Sequence, residues 1–106
     1  MVLESASVRV EAAAGGSRVV RVAGEVDMVT APAIERAVLS ELDGGADVVL
    51  DLADVEFFGS EGARLVTIAA RRASERGARF SIGAASPVVR RVLEVLELQA
   101  LVNVPG

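Results

Sequence analysis

Apolar and polar residues alternate through Ser7-Val8-Arg9-Val10-Glu11-Ala12, the period of a strand with one face buried. Gly15-Gly16 then marks a turn, and Ser17 to Ala23, with Val19, Val20 and Val22, predicts a second strand. A short glycine-bearing link makes the two a hairpin. Val8 and Val10 fall on one face, which Val20 and Val22 can share if the register is set so. From Thr30 the period changes. Ile34, Val38 and Leu42 recur at i, i+4 and i+8, with Glu35, Arg36 and Glu41 on the other side, so an amphipathic helix is predicted. Thr30 is placed to cap it, Pro32 suits its first turn, and Asp43-Gly44-Gly45 ends it. Val48-Val49-Leu50-Asp51-Leu52 is a β-branched run that reads as a central strand buried on both faces.

After that strand, Phe57-Phe58-Gly59-Ser60-Glu61-Gly62 leads into a second helical pattern, Ala63 to Arg76. Leu65, Ile68, Ala69 and Ala73 form its apolar stripe, and Gly77 stops it. Arg79-Phe80-Ser81-Ile82-Gly83 predicts a short strand. Ser86 is placed to cap a third helix with Pro87 at its first position and Val89, Val92, Leu93 and Leu96 on its apolar side. Leu101-Val102-Asn103-Val104 can add a last edge segment. The order β-β-α-β-α-β-α predicts an α/β domain: a small mixed β-sheet, an N-terminal hairpin plus parallel βαβ units, flanked by helices. Residues 1–106 are expected to form a single domain. In such sheets, sites lie beyond the carboxyl ends of the parallel strands. The loops carrying Asp27, Ser60 and Ala84-Ala85-Ser86 all leave at that edge.

Composition narrows the chemistry. The chain of 106 residues has no His, Cys, Lys, Tyr or Trp, and its eleven cations are all Arg. The commonest general base, the thiol nucleophile, the Schiff-base amine and the P-loop lysine are therefore missing, and a catalytic serine would have no His or Lys to activate it. No catalytic residues, no metal site and no cofactor are expected. A net charge of −4 and only three Phe argue against a nucleic acid as partner. The first residues lack the basic and apolar regions of a signal peptide, and no apolar run approaches the ~20 residues of a membrane span, so no membrane partner and a cytoplasmic location are expected. A binding module is favoured over an enzyme.

Several tempting features have plain structural readings. Ser60 stands where an N-cap serine usually stands. Arg71-Arg72 and Arg90-Arg91 read as solvated helix faces, and Asp51 and Asp54 as a strand-end and turn pair. Met28 and Val29 read as a staple packing onto the first helix. Phe57 and Phe58 are expected to split, one to the core and one to the surface.

Four motifs together carry a resemblance: Gly24-Glu25-Val26-Asp27-Met28-Val29-Thr30-Ala31-Pro32, Val48 to Leu52, Phe57 to Gly62, and Ser86-Pro87-Val88-Val89-Arg90-Arg91-Val92-Leu93-Glu94. In this order and spacing the chain resembles the STAS domain of bacterial anti-sigma factor antagonists, from about Ser7 to Val104. The resemblance implies a small mixed sheet flanked by helices. It implies that Ser60 is phosphorylated by a partner, a serine kinase that is also an anti-sigma factor, and that a serine phosphatase resets the switch. Unphosphorylated antagonist binds the kinase and frees the sigma factor. Asp27 matches the acidic residue of the family's Gly-Glu-Leu-Asp motif, and Asp27, Met28, Thr30, Gly59, Ser60, Glu61 and Gly62 are the implied partner-binding residues. A monomer or weak dimer is expected. Two positions depart from the common Asp-Ser-Ser-Gly or Asp-Ser-Thr-Gly pattern, which here is Gly59-Ser60-Glu61-Gly62. Glu61 suits a helix N-terminus but is a like charge beside a phosphoserine. The alternative is a non-phosphorylated STAS adaptor or scaffold in a stress-signalling or transporter complex.

Overall fold

The alternating segments at the start of the chain pair as a hairpin. In the computed structural model, which describes residues 5–101, strand β1 (Ala6–Ala12) runs antiparallel to strand β2 (Arg18–Val26). Gly15 and Gly16 turn the chain at φ of 69° and 80°, where a Cβ would be strained. Val8 lies opposite Val22 and Val10 opposite Val20, so the four valines share one face as their alternation requires.

Helix α1 (Ala31–Asp43), strand β3 (Val48–Phe58), helix α2 (Ser60–Arg76), strand β4 (Phe80–Ala85) and helix α3 (Pro87–Val95) follow. The sheet order is β1-β2-β3-β4, with β2, β3 and β4 parallel. Parallel neighbours need a crossover, and α1 and α2 supply the two crossovers. Val20, Leu50 and Ile82 align across the three parallel strands and are completely buried. Ile34, Val38 and Leu42 of α1, Leu65, Val66, Ala69 and Ala73 of α2, and Val89 and Leu93 of α3 close over them in one core cluster.

The helices therefore cover one face of the sheet. This corrects the reading of β3 as buried on both faces. Val48, Leu50 and Leu52 are buried, while Val49 and Asp51 are only half-buried and Ala53 is exposed. The β-branched run is instead explained by its central place and by alternate burial. On the open face, charges form a ladder across three strands. Arg9 pairs Glu11 at 2.7 Å, Glu11 pairs Arg21 at 3.0 Å, and Arg21 pairs Asp51.

Strand β3 is longer than predicted, running to Phe58. Its buried positions are 48, 50, 52, 55 and 58, so the period breaks after Leu52. The pairing with β2 shifts register between Arg21 and Ala23 and again between Gly24 and Glu25. Bulges insert residues without ending a strand, and they hide its period in the sequence. Helix α2 also starts earlier, at Ser60, and Val66 rather than Ile68 completes its buried stripe. Leu96 is half-exposed, outside α3. The expected edge segment at Leu101 to Val104 begins as a 3-10 turn, Gln99–Leu101, and its remainder lies outside the described residues.

Candidate functional site

The carboxyl ends of β2 and β3 meet side by side. Val26 pairs Phe58, and the Gly59 N–H donates to the Val26 carbonyl at 3.0 Å. The two loops that leave there enclose an open depression of about 320 Å³ lined by Asp27, Met28, Phe57, Gly59, Ser60 and Glu61. Five of the seven sequence-derived site residues thus come together. Thr30 and Gly62 do not line the depression. Thr30 is completely buried. Gly62 is buried beneath Phe58, and a Cβ on it would stand 2.6–2.8 Å from that ring.

Ser60 is exposed at the first helical position of α2. It is not the cap, as the sequence suggested. Gly59 holds the cap position in extended conformation and has no side chain to accept a bond. Carbonyl oxygens reach only the later amides, Gly62 N–H to Gly59 O at 2.9 Å and Ala63 N–H to Gly59 O at 3.4 Å. Among the described residues, the Ser60 and Glu61 N–H groups thus stay uncapped and the Ser60 hydroxyl has no partner. Uncapped first-turn amides and the positive end of the helix dipole favour an anion at this point.

Asp27 does the capping expected of Thr30. Its Oδ1 accepts the N–H groups of Val29 at 2.9 Å and Thr30 at 3.0 Å. The Thr30 hydroxyl turns back instead, accepting the Asp27 N–H at 3.0 Å and donating to the Glu25 carbonyl at 2.7 Å. The Thr30 amide holds the Asp27 carboxyl below its ordinary pKa, with help from the Val29 amide and the Thr30 hydroxyl, while partial burial opposes. Ser86 also departs from its expected cap role. Its hydroxyl donates to the Val55 carbonyl at 2.6 Å, and its N–H donates to Leu52 O at 3.1 Å. It thereby ties the β4–α3 junction to the irregular part of β3 and lies outside the depression.

Met28 and Val29 are 77% and 72% exposed, so they do not staple α1. With Asp27 bonding the amides that follow, the loop is fixed by polar contacts and its apolar side chains point outward. Phe57 and Phe58 split as expected: Phe58 is buried and Phe57 is 50% exposed at the lip of the depression. Exposed apolar side chains beside polar groups are the composition of a docking surface. Phe57 is the functional candidate missing from the sequence-derived set. The signal for it was the Phe-Phe doublet, since neighbouring residues in a strand face opposite ways.

Arg64 is a second residue the motifs did not mark. Its Nη1 lies 3.9 Å from Glu61 Oε2 and 4.0 Å from Glu35 Oε1 of α1. Asp27 and Glu61 line the depression and make its edge acidic. Among the described residues no group of acidic, His or Cys side chains could hold a metal ion, and no helix is long and apolar enough to cross a membrane.

A family model described as "Mlab, STAS domain" matches residues 10–103. The anti-sigma-F factor antagonist RsfB of Mycobacterium tuberculosis is 31% identical over 84 residues, which are 78% of this chain and 68% of RsfB. The crystal structure of an anti-sigma factor antagonist from Mycobacterium paratuberculosis superposes with a TM-score of 0.83 at 33% identity, covering 94% of this chain and 85% of that one. The anti-sigma factor antagonist SpoIIAA shares the fold. In its unphosphorylated form the TM-score is 0.81 at 22% identity, covering 94% of this chain and 89% of that one. In the phosphorylated form of the Bacillus protein it is 0.75 at 20% identity, covering 94% and 92%.

Proposed function

The chain belongs to the STAS domain family, and from that premise we propose that it is an anti-sigma factor antagonist switched off by phosphorylation at Ser60. The partner is an anti-sigma factor with serine kinase activity, which the unmodified chain binds so that the sigma factor is released. The γ-phosphoryl group of ATP passes to Ser60 Oγ, the hydroxyl proton passes to a base on the kinase, and ADP leaves. A serine phosphatase restores the hydroxyl. The chain itself supplies no catalytic group, and its place of action is the cytoplasm.

The observation that carries this reading is the position of Ser60: an exposed hydroxyl that, among the described residues, has no partner and stands above two uncapped amides, inside a depression edged by Phe57 and Met28. A phosphate here meets free N–H donors and needs no refolding. It adds nearly two negative charges to an edge that already holds Asp27 and Glu61. Docking of a partner on Phe57 and Met28 is then blocked by charge and bulk. The named relatives, RsfB and the Mycobacterium paratuberculosis protein, support the antagonist role.

Two observations favour a second reading, a STAS adaptor that does not switch. Glu61 already places a carboxylate beside Ser60, and exposed Met28, Val29 and Phe57 suit a constitutive complex. Intact mass separates the two. The chain is incubated with ATP and each serine-kinase anti-sigma factor of its own genome. Gain of a single phosphate, lost in Ser60→Ala, is the expected result. Binding without phosphate transfer across all these kinases contradicts the switch and leaves the adaptor.

A further inference from the structure

Arg64 stands one turn beyond Ser60, at i+4 on the same side of α2. Its contacts to Glu61 and Glu35 lie at 3.9 and 4.0 Å, the outer limit of an ion pair, and its side chain is 65% exposed. Solvent screens such pairs, so neither carboxylate holds the guanidinium firmly. It is a cation shared between α1 and α2 and committed to neither. A phosphate on Ser60 is a stronger competitor than either carboxylate. It carries more charge and presents oxygens that fit the guanidinium fork bidentately. An acid one turn N-terminal to a base is also the favoured order on a helix.

We propose that Arg64 is the positioning residue that holds a phosphate on Ser60, leaving Glu61 and Glu35 to do so; this rests on Ser60 being the phospho-acceptor. The charged groups near that phosphate are Asp27 of the β2–α1 loop and Glu61 and Arg64 of α2, with Glu35 of α1 on the far side of Arg64. Three carboxylates raise the second pKa of a phosphate, and the guanidinium lowers it. Arg64 therefore offsets the like charge of Glu61 and keeps the phosphate doubly charged at neutral pH. Its departure leaves Glu35 without that cation, so the modification makes the nearby edge of α1 more acidic as well.

The test installs phosphoserine at position 60 during translation, so that no kinase is needed, and follows the 31P chemical shift against pH. Arg64→Gln is expected to raise the second phosphate pKa by about half a unit or more. Arg64→Lys restores part of the difference, and Glu35→Gln lowers the pKa below that of the parent protein. Arg64 is exposed and Glu35 half-buried, and far-ultraviolet circular dichroism of each variant checks that the fold is kept. Superimposable titrations of the parent and Arg64→Gln overturn the proposal. A kinase that fails to modify Ser60 overturns the switch, but the titration still decides whether Arg64 holds the phosphate.

Discussion

Single residues at this site act through close approach and local bonding. Gly62 lets the first turn of α2 rest on Phe58, because a Cβ would come within 2.6 Å of the ring. Gly62→Ala is expected to lower stability by about 1–3 kcal/mol in urea unfolding, the usual cost of overpacking. Asp27 gives the site a pH dependence. Its folded pKa is below the unfolded one because the Thr30 amide bonds the carboxylate. The bonds therefore stabilise fully above the ordinary carboxylate range, and their contribution disappears as the pH falls through the folded pKa. Asp27→Asn keeps an acceptor oxygen but does not titrate, so its stability is expected to fall less steeply on acidification than that of the parent. Phe57 contributes little to the core, yet Phe57→Ala is expected to weaken binding of the anti-sigma factor at least about tenfold, as loss of an aromatic anchor does. Unchanged affinity by calorimetry would remove Phe57 from the docking surface. Five of the six residues lining the depression were legible in the sequence as site residues, Phe57 being the exception, but the roles around them were partly exchanged. Thr30 and Ser86 occupy cap positions, yet their hydroxyls bond strand carbonyls, and Asp27 supplies the cap. Sequence spacing marks an end of a helix without saying which oxygen reaches the amides.

Elements are set by periodicity where it is regular and obscured where it is not. The hairpin and α1 followed directly from periods of two and of about three and a half. Strand β3 did not, since its bulges move the buried positions from steps of two to steps of three. The end of α3 illustrates local strain. Glu97 adopts φ of 59°, a left-handed conformation, while Leu98 N–H bonds Leu93 O at 2.7 Å and closes the helix. Glycine is the residue that adopts this turn freely. Glu97→Gly is expected to raise stability by about 0.5–1 kcal/mol, the relief of the Cβ clash exceeding the entropy lost from the unfolded chain. Chemical denaturation checks it, and a lower midpoint would show that Glu97 makes a contact worth more than its strain. The salt links of Asp43 to Arg72 at 2.7 Å and Arg76 at 3.0 Å join the ends of α1 and α2. Arg72 is thus not only the solvated cation that its doublet suggested.

At the scale of the molecule, the order of elements and the edge where the loops converge were legible because parallel strands send their carboxyl ends the same way. Which face of the sheet is covered was not, because a β-branched strand suits single and double burial alike. The outcome is a domain with helices on one face, a charged ladder on the other, and an acidic edge with an apolar lip. Among the described residues, this edge brings an accessible hydroxyl and free amides together with exposed Phe57, Met28 and Val29, and this is why we propose the function there. The most direct measurement is sigma factor release. A complex of labelled sigma factor and its anti-sigma factor is titrated with the parent chain and with Ser60→Asp, and release is followed by fluorescence anisotropy. Release by the parent chain, and much weaker release by Ser60→Asp with an unchanged circular dichroism spectrum, is the expected result. Equal release by both would contradict the switch at Ser60, and no release by either from any cognate complex would contradict the antagonist itself.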